Sequence, residues 1–181
     1  MPARYAVSLA LVVLSLGLAA CGGGGDGGAS DHALGEKVVV EHAQDPSGTP
    51  SSLGITVLAV RKGTQEEMKQ GGFRLEGEEL TRTPYYVDTR FENQSSAAIK
   101  RQLYVAMEDQ DGNLITSTTI IDLGGKPFAQ CPKAGDAKLA PGQSYKSCSL
   151  FLVPEGREPT KVSFLPTDPG TPTEFVYWNV E

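Results

Sequence analysis

The segment from Tyr85 to Glu92 constrains the fold of this chain more than any other. Its odd positions carry Tyr, Val, Thr and Phe, and its even positions carry Tyr, Asp, Arg and Glu. Because successive side chains of a strand point to opposite faces, this period of two predicts a strand with one apolar face and one mostly charged face. The polar run Asn93-Gln94-Ser95-Ser96 then ends the strand.

Further segments have the composition of strands, with β-branched or aromatic residues between Gly, Pro and Asp-Gly breaks. They are Ile55–Val60, Gln102–Glu108, Leu114–Ile121, Tyr145–Val153, Lys161–Leu165 and Glu174–Val180. The Asp111-Gly112 pair predicts a β-hairpin between the second and third of these. Helical periodicity is nearly absent, and Thr64–Lys69, acidic at its start and basic at its end, predicts a single short helix. We therefore predict an all-β sandwich.

The first twenty residues predict an export signal. Arg4 precedes a run from Tyr5 to Ala20 without charge, which is shorter than the roughly 20 apolar residues of a membrane-spanning helix. The end of this run, Leu-Ala-Ala-Cys21, resembles a bacterial lipobox. The resemblance implies that Cys21 carries a diacylglycerol on its sulfur and that residues 1–20 are removed. An ordinary signal peptide that happens to contain a cysteine is the alternative.

Residues 21–52 are predicted to be a flexible tether. The stretch from Gly22 to Gly28 is almost entirely glycine, and a polar stretch that contains proline precedes Leu53. Val38–Val40 is a short apolar island that forms either an edge strand or part of the tether. His32 and His42 lie in this region, and we expect both to be solvated and unengaged.

The order of motifs after the tether resembles a known family. Pro84-Tyr85-Tyr86-Val87 and Phe91-Glu92-Asn93 come first, followed by a Cys-containing loop, Leu139-Ala140-Pro141-Gly142 and Phe151-Leu152-Val153-Pro154. This order is similar to the telokin-like, immunoglobulin-like domain of secreted antigens and lipoproteins of high-GC Gram-positive bacteria. The resemblance implies an immunoglobulin-like antiparallel β-sandwich of about seven to eight strands over residues 53–181. It implies no catalytic residues and no known function.

Cys131 and Cys148 are predicted to form a disulfide. Once Cys21 is lipidated they remain as a pair in an exported protein, where disulfides persist. A redox or metal pair is the alternative, but neither a Cys-x-x-Cys motif nor two further ligands at zinc spacing accompany them.

Other candidate chemistry is weak. The loop Glu108–Asn113 is rich in carboxylates but fails the calcium-loop template, so a hairpin turn is preferred to weak calcium binding. No histidine follows His42, which leaves a Ser-His-Asp triad without its base inside the domain. We predict no enzyme activity, no catalytic residue, no metal site and no cofactor. The net charge of −6 argues against a nucleic-acid partner.

Aromatic residues are the candidates for partner contacts. Phe73 lies in a long insertion, Gly63–Thr83, where it either binds a partner or caps the sandwich. Tyr86, Tyr104 and Trp178 are the other candidate anchors, and completion of a small core is the alternative for them.

The sequence thus predicts a cell-surface lipoprotein on the extracytoplasmic face of a bacterial membrane. Its attachment is the lipid at Cys21, and its immunoglobulin-like domain binds a protein or a cell-envelope component without catalysis. A lipoprotein that binds or delivers a small ligand or a metal ion is the alternative. A flat aromatic patch or an ordered insertion favours the first, and a deep pocket between the sheets favours the second.

Overall fold

The computed structural model describes residues 31–44, 48–100, 103–119, 127–135, 138–167 and 174–180. These residues form two sheets with strand orders β1-β9-β8-β5-β6 and β2-β3-β4-β7. The strands are β1 Asp31–His32, β2 Lys37–His42, β3 Ser51–Lys62, β4 Thr83–Asn93, β5 Ala106–Asp109, β6 Leu114–Ile115, β7 Ser144–Val153, β8 Pro159–Phe164 and β9 Val176–Asn179. The prediction of an all-β, immunoglobulin-like sandwich is confirmed.

The four-stranded sheet holds the long strands of the molecule. β3, β4 and β7 run antiparallel over nine or more paired positions, and a bulge separates Val57 from Ala59 in β3. The odd positions of β4 face the second sheet, where Val87 and Phe91 are fully buried. The period of two in the sequence therefore corresponds to the two faces of this strand, with odd positions inside the sandwich and even positions outside it.

The five-stranded sheet is built from shorter strands. β5 and β6 form the predicted hairpin, with Gly112 at a φ of +79° in its turn, but both strands are shorter than the sequence predicts. β1 pairs in parallel with β9, whereas the other pairs in this sheet are antiparallel.

A continuous apolar core fills the space between the sheets. It includes Phe91, Met107, Phe151, Val162 and Trp178, each at most 1% exposed. The indole N–H of Trp178 donates to the carbonyl of Glu36 at 3.0 Å, which gives this buried group its partner. Among the described residues, no helix is long and apolar enough to cross a membrane.

The tether ends earlier than the sequence predicts. Residues 37–42 form β2 and pair with β3 along its first half, so the boundary at residue 52 is wrong and Val38–Val40 is strand. His42 and His32 are also engaged. The Nδ1 atom of His42 accepts a hydrogen bond from the Thr167 amide at 3.1 Å, and His32 Nδ1 lies 2.7 Å from a Glu36 carboxylate oxygen. The pairing of β2 with β3 shows that Val38–Val40 is a strand. The sequence does not, because three apolar residues alone do not distinguish an edge strand from a linker.

Candidate ligand-binding face

The outer face of the four-stranded sheet is covered by other parts of the chain. Tyr86, Leu150 and Leu152 point away from the main core and are at most 6% exposed. Met68 from the insertion and Phe128 pack on them in a second hydrophobic cluster. We call this surface the covered face. Phe128 belongs to the segment that carries Cys131, residues 127–135, which we call the cysteine loop. The insertion therefore has a structural role, because Met68 completes a small core over the outer side of this sheet.

The insertion is ordered by local hydrogen bonds and by one close approach. Helix α1, Gln65–Gln70, begins with a capping box between Thr64 and Glu67, and its buried residue is Met68. A 3₁₀ helix follows at Gly77–Thr81. Gly71 ends α1, and a Cβ atom there would lie 2.4 Å from the ring of Phe128. Because Gly71 has no side chain, the insertion can pack closely against Phe128 in the cysteine loop.

The disulfide fastens the cysteine loop to the covered face. Cys131 and Cys148 are bonded, with Cα atoms 5.2 Å apart, and Cys148 lies on β7 opposite Asp88. Arg61 donates to both oxygens of Asp88, the shorter distance being 2.8 Å, and to the carbonyl of Gln130 at 2.8 Å. The hydrogen bond to Asp88 raises the pKa of Arg61. Together with the bond to Gln130, it ties the cysteine loop to β3 and β4.

The outer face of the five-stranded sheet is arranged differently. The register brings Ala106, Ser163 and Tyr177 side by side on β5, β8 and β9, facing away from the core. Tyr104 and Leu165 lie beyond these strand positions and are 68% and 46% exposed. We call the surface formed by Tyr104, Ala106, Ser163, Leu165, Phe175 and Tyr177 the open face.

An open groove lies at the centre of the open face. Its volume is about 220 Å³, and it is lined by Tyr104, Val105, Ala106, Thr116, Ser117, Ser163, Leu165 and Phe175. Ser163 is 0% exposed, and within the described ranges of the chain its hydroxyl oxygen has no hydrogen-bond partner. An unpaired buried hydroxyl costs free energy, so this position is a candidate for a ligand contact.

A polar margin borders the open face on β8 and β9. Lys161 lies 3.1 Å from both carboxylate oxygens of Asp31, and its ammonium sits 4.9 Å from the centre of the Tyr177 ring. Burial, aided by the nearby Glu108, raises the pKa of Tyr177, so this phenol stays neutral at physiological pH. The charges of the margin are thus already engaged with one another.

The carboxylate-rich loop is a structural turn. The side chain of Asp109 is buried and accepts hydrogen bonds from the amides of Asp111 and Asn113 and from Arg157 at 2.8 Å. Burial acts to raise the pKa of Asp109, but these hydrogen bonds outweigh it and lower the pKa. Among the described residues, no three His, Cys, Asp or Glu side chains lie close enough to hold a metal ion.

The candidate anchors predicted from the sequence fall into different environments. Tyr104 is an exposed part of the open face, with Leu103 and Val105 buried on either side. Tyr86 and Trp178 are buried in the second and the main cluster, which is the core role that was the alternative for them. Phe73 packs edge-on against Phe128 with ring centroids 4.9 Å apart, which favours its capping role. Cys21 lies outside the described residues.

Sequence reasoning missed most of the groove. A usable signal was present in β8, where Ser163 alternates with the apolar Val162 and Phe164, and Leu165 follows Ser163 on the outward side. An apolar residue on an outward-facing strand position indicates either a second layer or a binding surface.

Comparison with known proteins supports the fold. No family model and no curated protein matches the chain. MPT63, a secreted protein from Mycobacterium tuberculosis, superposes with a TM-score of 0.55 and 13% identity over 84% of this chain and 98% of its own. The yjhA protein from Bacillus subtilis gives 0.50 and 11% over 83% and 99%. An uncharacterized beta-sandwich protein from Clostridium difficile gives 0.48 and 12% over 85% and 95%. At these identities, the two structures with the higher scores show that the β-sandwich fold is shared.

Proposed function

We propose that this chain is an exported lipoprotein, anchored through Cys21, whose β-sandwich acts by non-enzymatic binding through the open face. The observation that carries the proposal is the contrast between the two outer faces. Apolar side chains on the covered face are buried by the insertion and the cysteine loop, whereas Tyr104 and Leu165 on the open face are exposed. Exposed aromatic and aliphatic side chains on a rigid sheet are the usual anchors of an interface.

Export is supported by three independent observations, and anchoring by the first of them. The uncharged run before Cys21 has the layout of a secretory signal and ends in a motif that resembles a lipobox. The Cys131–Cys148 disulfide belongs in an oxidising compartment. MPT63, which shares the fold, is a secreted protein. A diacylglycerol at Cys21 would supply the two acyl chains that lasting membrane attachment requires.

Binding is favoured over catalysis by the chemistry of the open face. The groove is lined by hydroxyl groups and apolar side chains, and the nearby Lys161 is committed to Asp31 and Tyr177. Acid–base catalysis needs a titratable group positioned at the reacting atom, and among the eight lining residues Tyr104 alone carries such a group, with no second one beside it. The main core fills the space between the sheets, where the alternative of a ligand-delivery protein predicted a deep pocket.

Membrane fractionation tests the anchor. The full chain should pellet with membranes, and Cys21→Ala should release the exported chain to the soluble fraction, because the acyl chains provide the attachment. The matched control is the double variant Cys131→Ser with Cys148→Ser, which keeps Cys21 and should remain in the pellet. Exported Cys21→Ala chain that still pellets with membranes would contradict the anchor.

A pair of leucine variants tests the binding face. Leu165 on the open face and Leu80 in the 3₁₀ helix of the insertion are 46% and 54% exposed, so each accepts a lysine at similar cost. Leu165→Lys should weaken chemical crosslinking to envelope components at least fivefold, and Leu80→Lys should leave it unchanged. Equal crosslinking by the two variants would remove the open face from the proposal.

A further inference from the structure

We propose that the groove around Ser163 binds an uncharged small molecule that carries a single ring and a hydroxyl group. This inference rests on the proposed function, because it assigns a ligand class to the open face. It is carried by four properties of the groove, which are an unpaired buried hydroxyl, ring-bearing walls, a lining without ionised groups and a small volume.

The first property is the hydroxyl of Ser163. The residue is fully buried on the outer side of β8, between Ala106 and Tyr177 on the neighbouring strands. Ser163 lines the groove, and its hydroxyl oxygen has no hydrogen-bond partner among the residues that the structure describes. A hydroxyl both donates and accepts, so a ligand hydroxyl would pair with it in either sense. The described part of the chain thus leaves this hydroxyl for an occupant of the groove to pair with.

The second property is the nature of the walls. Tyr104 and Phe175 contribute aromatic rings, and Leu165, Val105 and Ala106 contribute aliphatic surface. Aromatic side chains attract other rings in offset or edge-to-face arrangements, in addition to the apolar area that they bury. A ring therefore fits these walls better than a linear polar chain does.

The third property is the charge of the lining. Its eight residues are all uncharged, and Lys161 at the margin is held by Asp31 at 3.1 Å. A charged ligand would lose its hydration in the groove without gaining an ion pair, which is costly. The ligand that matches the groove is therefore neutral.

The fourth property is size. The volume of about 220 Å³ is below the range of roughly 300–1,000 Å³ for sites that hold drug-sized ligands. One ring with a short substituent is the matching occupant. The hydroxyl of such a ligand would face Ser163 at the floor, and its ring would lie between Tyr104 and Phe175.

Titration with phenol and toluene tests the ligand class directly. The two probes share a ring and differ by a hydroxyl in place of a methyl, and binding is followed by the amide NMR shifts of Ala106 and Ser163 in the complete chain. We expect phenol to bind about fivefold more tightly than toluene, which corresponds to one net hydrogen bond. Benzoate, the charged probe, should bind more weakly than phenol. Equal affinity for phenol and toluene, or a preference for benzoate, overturns the proposal.

Two variants separate the groove from a general effect on stability. Ser163→Ala removes the unpaired hydroxyl and should raise the melting temperature while abolishing the preference for phenol over toluene. Thr89→Val is the matched control, because the Thr89 hydroxyl is also buried and finds no partner among the described residues, but it faces the main core. It should not lower the phenol preference. A Ser163→Ala chain that keeps the full preference refutes the groove site. That result leaves the proposed function untouched, because membrane fractionation and the Leu165→Lys variant test the anchor and the open face separately.

Discussion

The covered face and the open face are the outer surfaces of two sheets in one sandwich, and they differ in what lies over them. Tyr86 and Tyr104 occupy equivalent places in the alternation of their segments, each pointing away from the main core. Tyr86 is 1% exposed because the insertion and the cysteine loop lie over it, and Tyr104 is 68% exposed. The covered face thus contributes to stability and the open face is proposed to bind. Substitutions on the covered face should therefore change the free energy of unfolding, and substitutions on the open face should change binding.

The largest effect is expected from removing the centre of the covered face. Phe128 contacts Phe73 and Tyr86, with ring centroids 4.9 and 5.7 Å away. Phe128→Ala should lower the free energy of unfolding by about 3–5 kcal/mol, the usual cost of truncating a buried Phe. Urea denaturation measures it. Tyr104→Ala on the open face is the control and should change stability by less than about 0.5 kcal/mol. If both variants lost a similar amount of unfolding free energy, the two faces would not differ in their contribution to stability.

The disulfide should give the next largest effect. Replacing Cys131 and Cys148 together with Ser opens a loop between residues 17 positions apart, which costs about 3 kcal/mol in the chain-entropy model. The loss should appear in denaturant unfolding of the variant, while phenol binding at the open face stays unchanged. Reduced phenol affinity in the folded variant would mean that the two faces are coupled.

A methyl group at Gly71 tests how tightly the insertion is seated. Its Cβ would meet the buried ring of Phe128 at 2.4 Å, so either the ring or the insertion must shift. Gly71→Ala should cost about 1–3 kcal/mol, typical of overpacking. Gln70→Ala at the exposed neighbouring position is the control and should be nearly neutral. A neutral Gly71→Ala would show that the insertion packs loosely on the cysteine loop.

The smallest effect on stability is expected from a contact between the two sheets, the packing of His42 on Phe164. His42 on β2 packs on Phe164 of the five-stranded sheet at 5.4 Å between ring centroids, and burial lowers its pKa. The unfolded chain therefore binds a proton more readily than the folded chain as the pH falls below about 6.5. Stability should be full above that pH and decline as the pH falls towards the lowered pKa of the folded state.

Unfolding curves for the wild type and for His42→Gln between pH 8 and pH 5 isolate this contribution. The difference between the two should shrink or reverse as the pH falls, since Gln does not titrate. A difference that stays constant with pH would show that His42 does not titrate on unfolding.

The sequence by itself determined the elements whose signal is local. The alternation from Tyr85 to Glu92 places β4, Asp111-Gly112 places the hairpin turn, and the acidic-to-basic run after Thr64 places α1. The pairing of Cys131 with Cys148 was also predicted, because they are the two cysteines that remain after the predicted lipidation of Cys21. For the strand, the turn and the helix, neighbouring residues carry the physical cause.

The tertiary structure alone decided which outward-facing side chains are covered. Alternation shows that Tyr86 and Tyr104 point outward, but whether another segment lies over them depends on contacts between residues far apart in the chain. Met68 reaches Tyr86 because the insertion folds back over its own sheet, and the register of β5, β8 and β9 brings Ala106, Ser163 and Tyr177 together. The pairing of β2 with β3 likewise decided that Val38–Val40 is an edge strand, which the sequence had left open against the tether. Local periodicity encodes the direction of a side chain, whereas its burial is a property of the assembled layers.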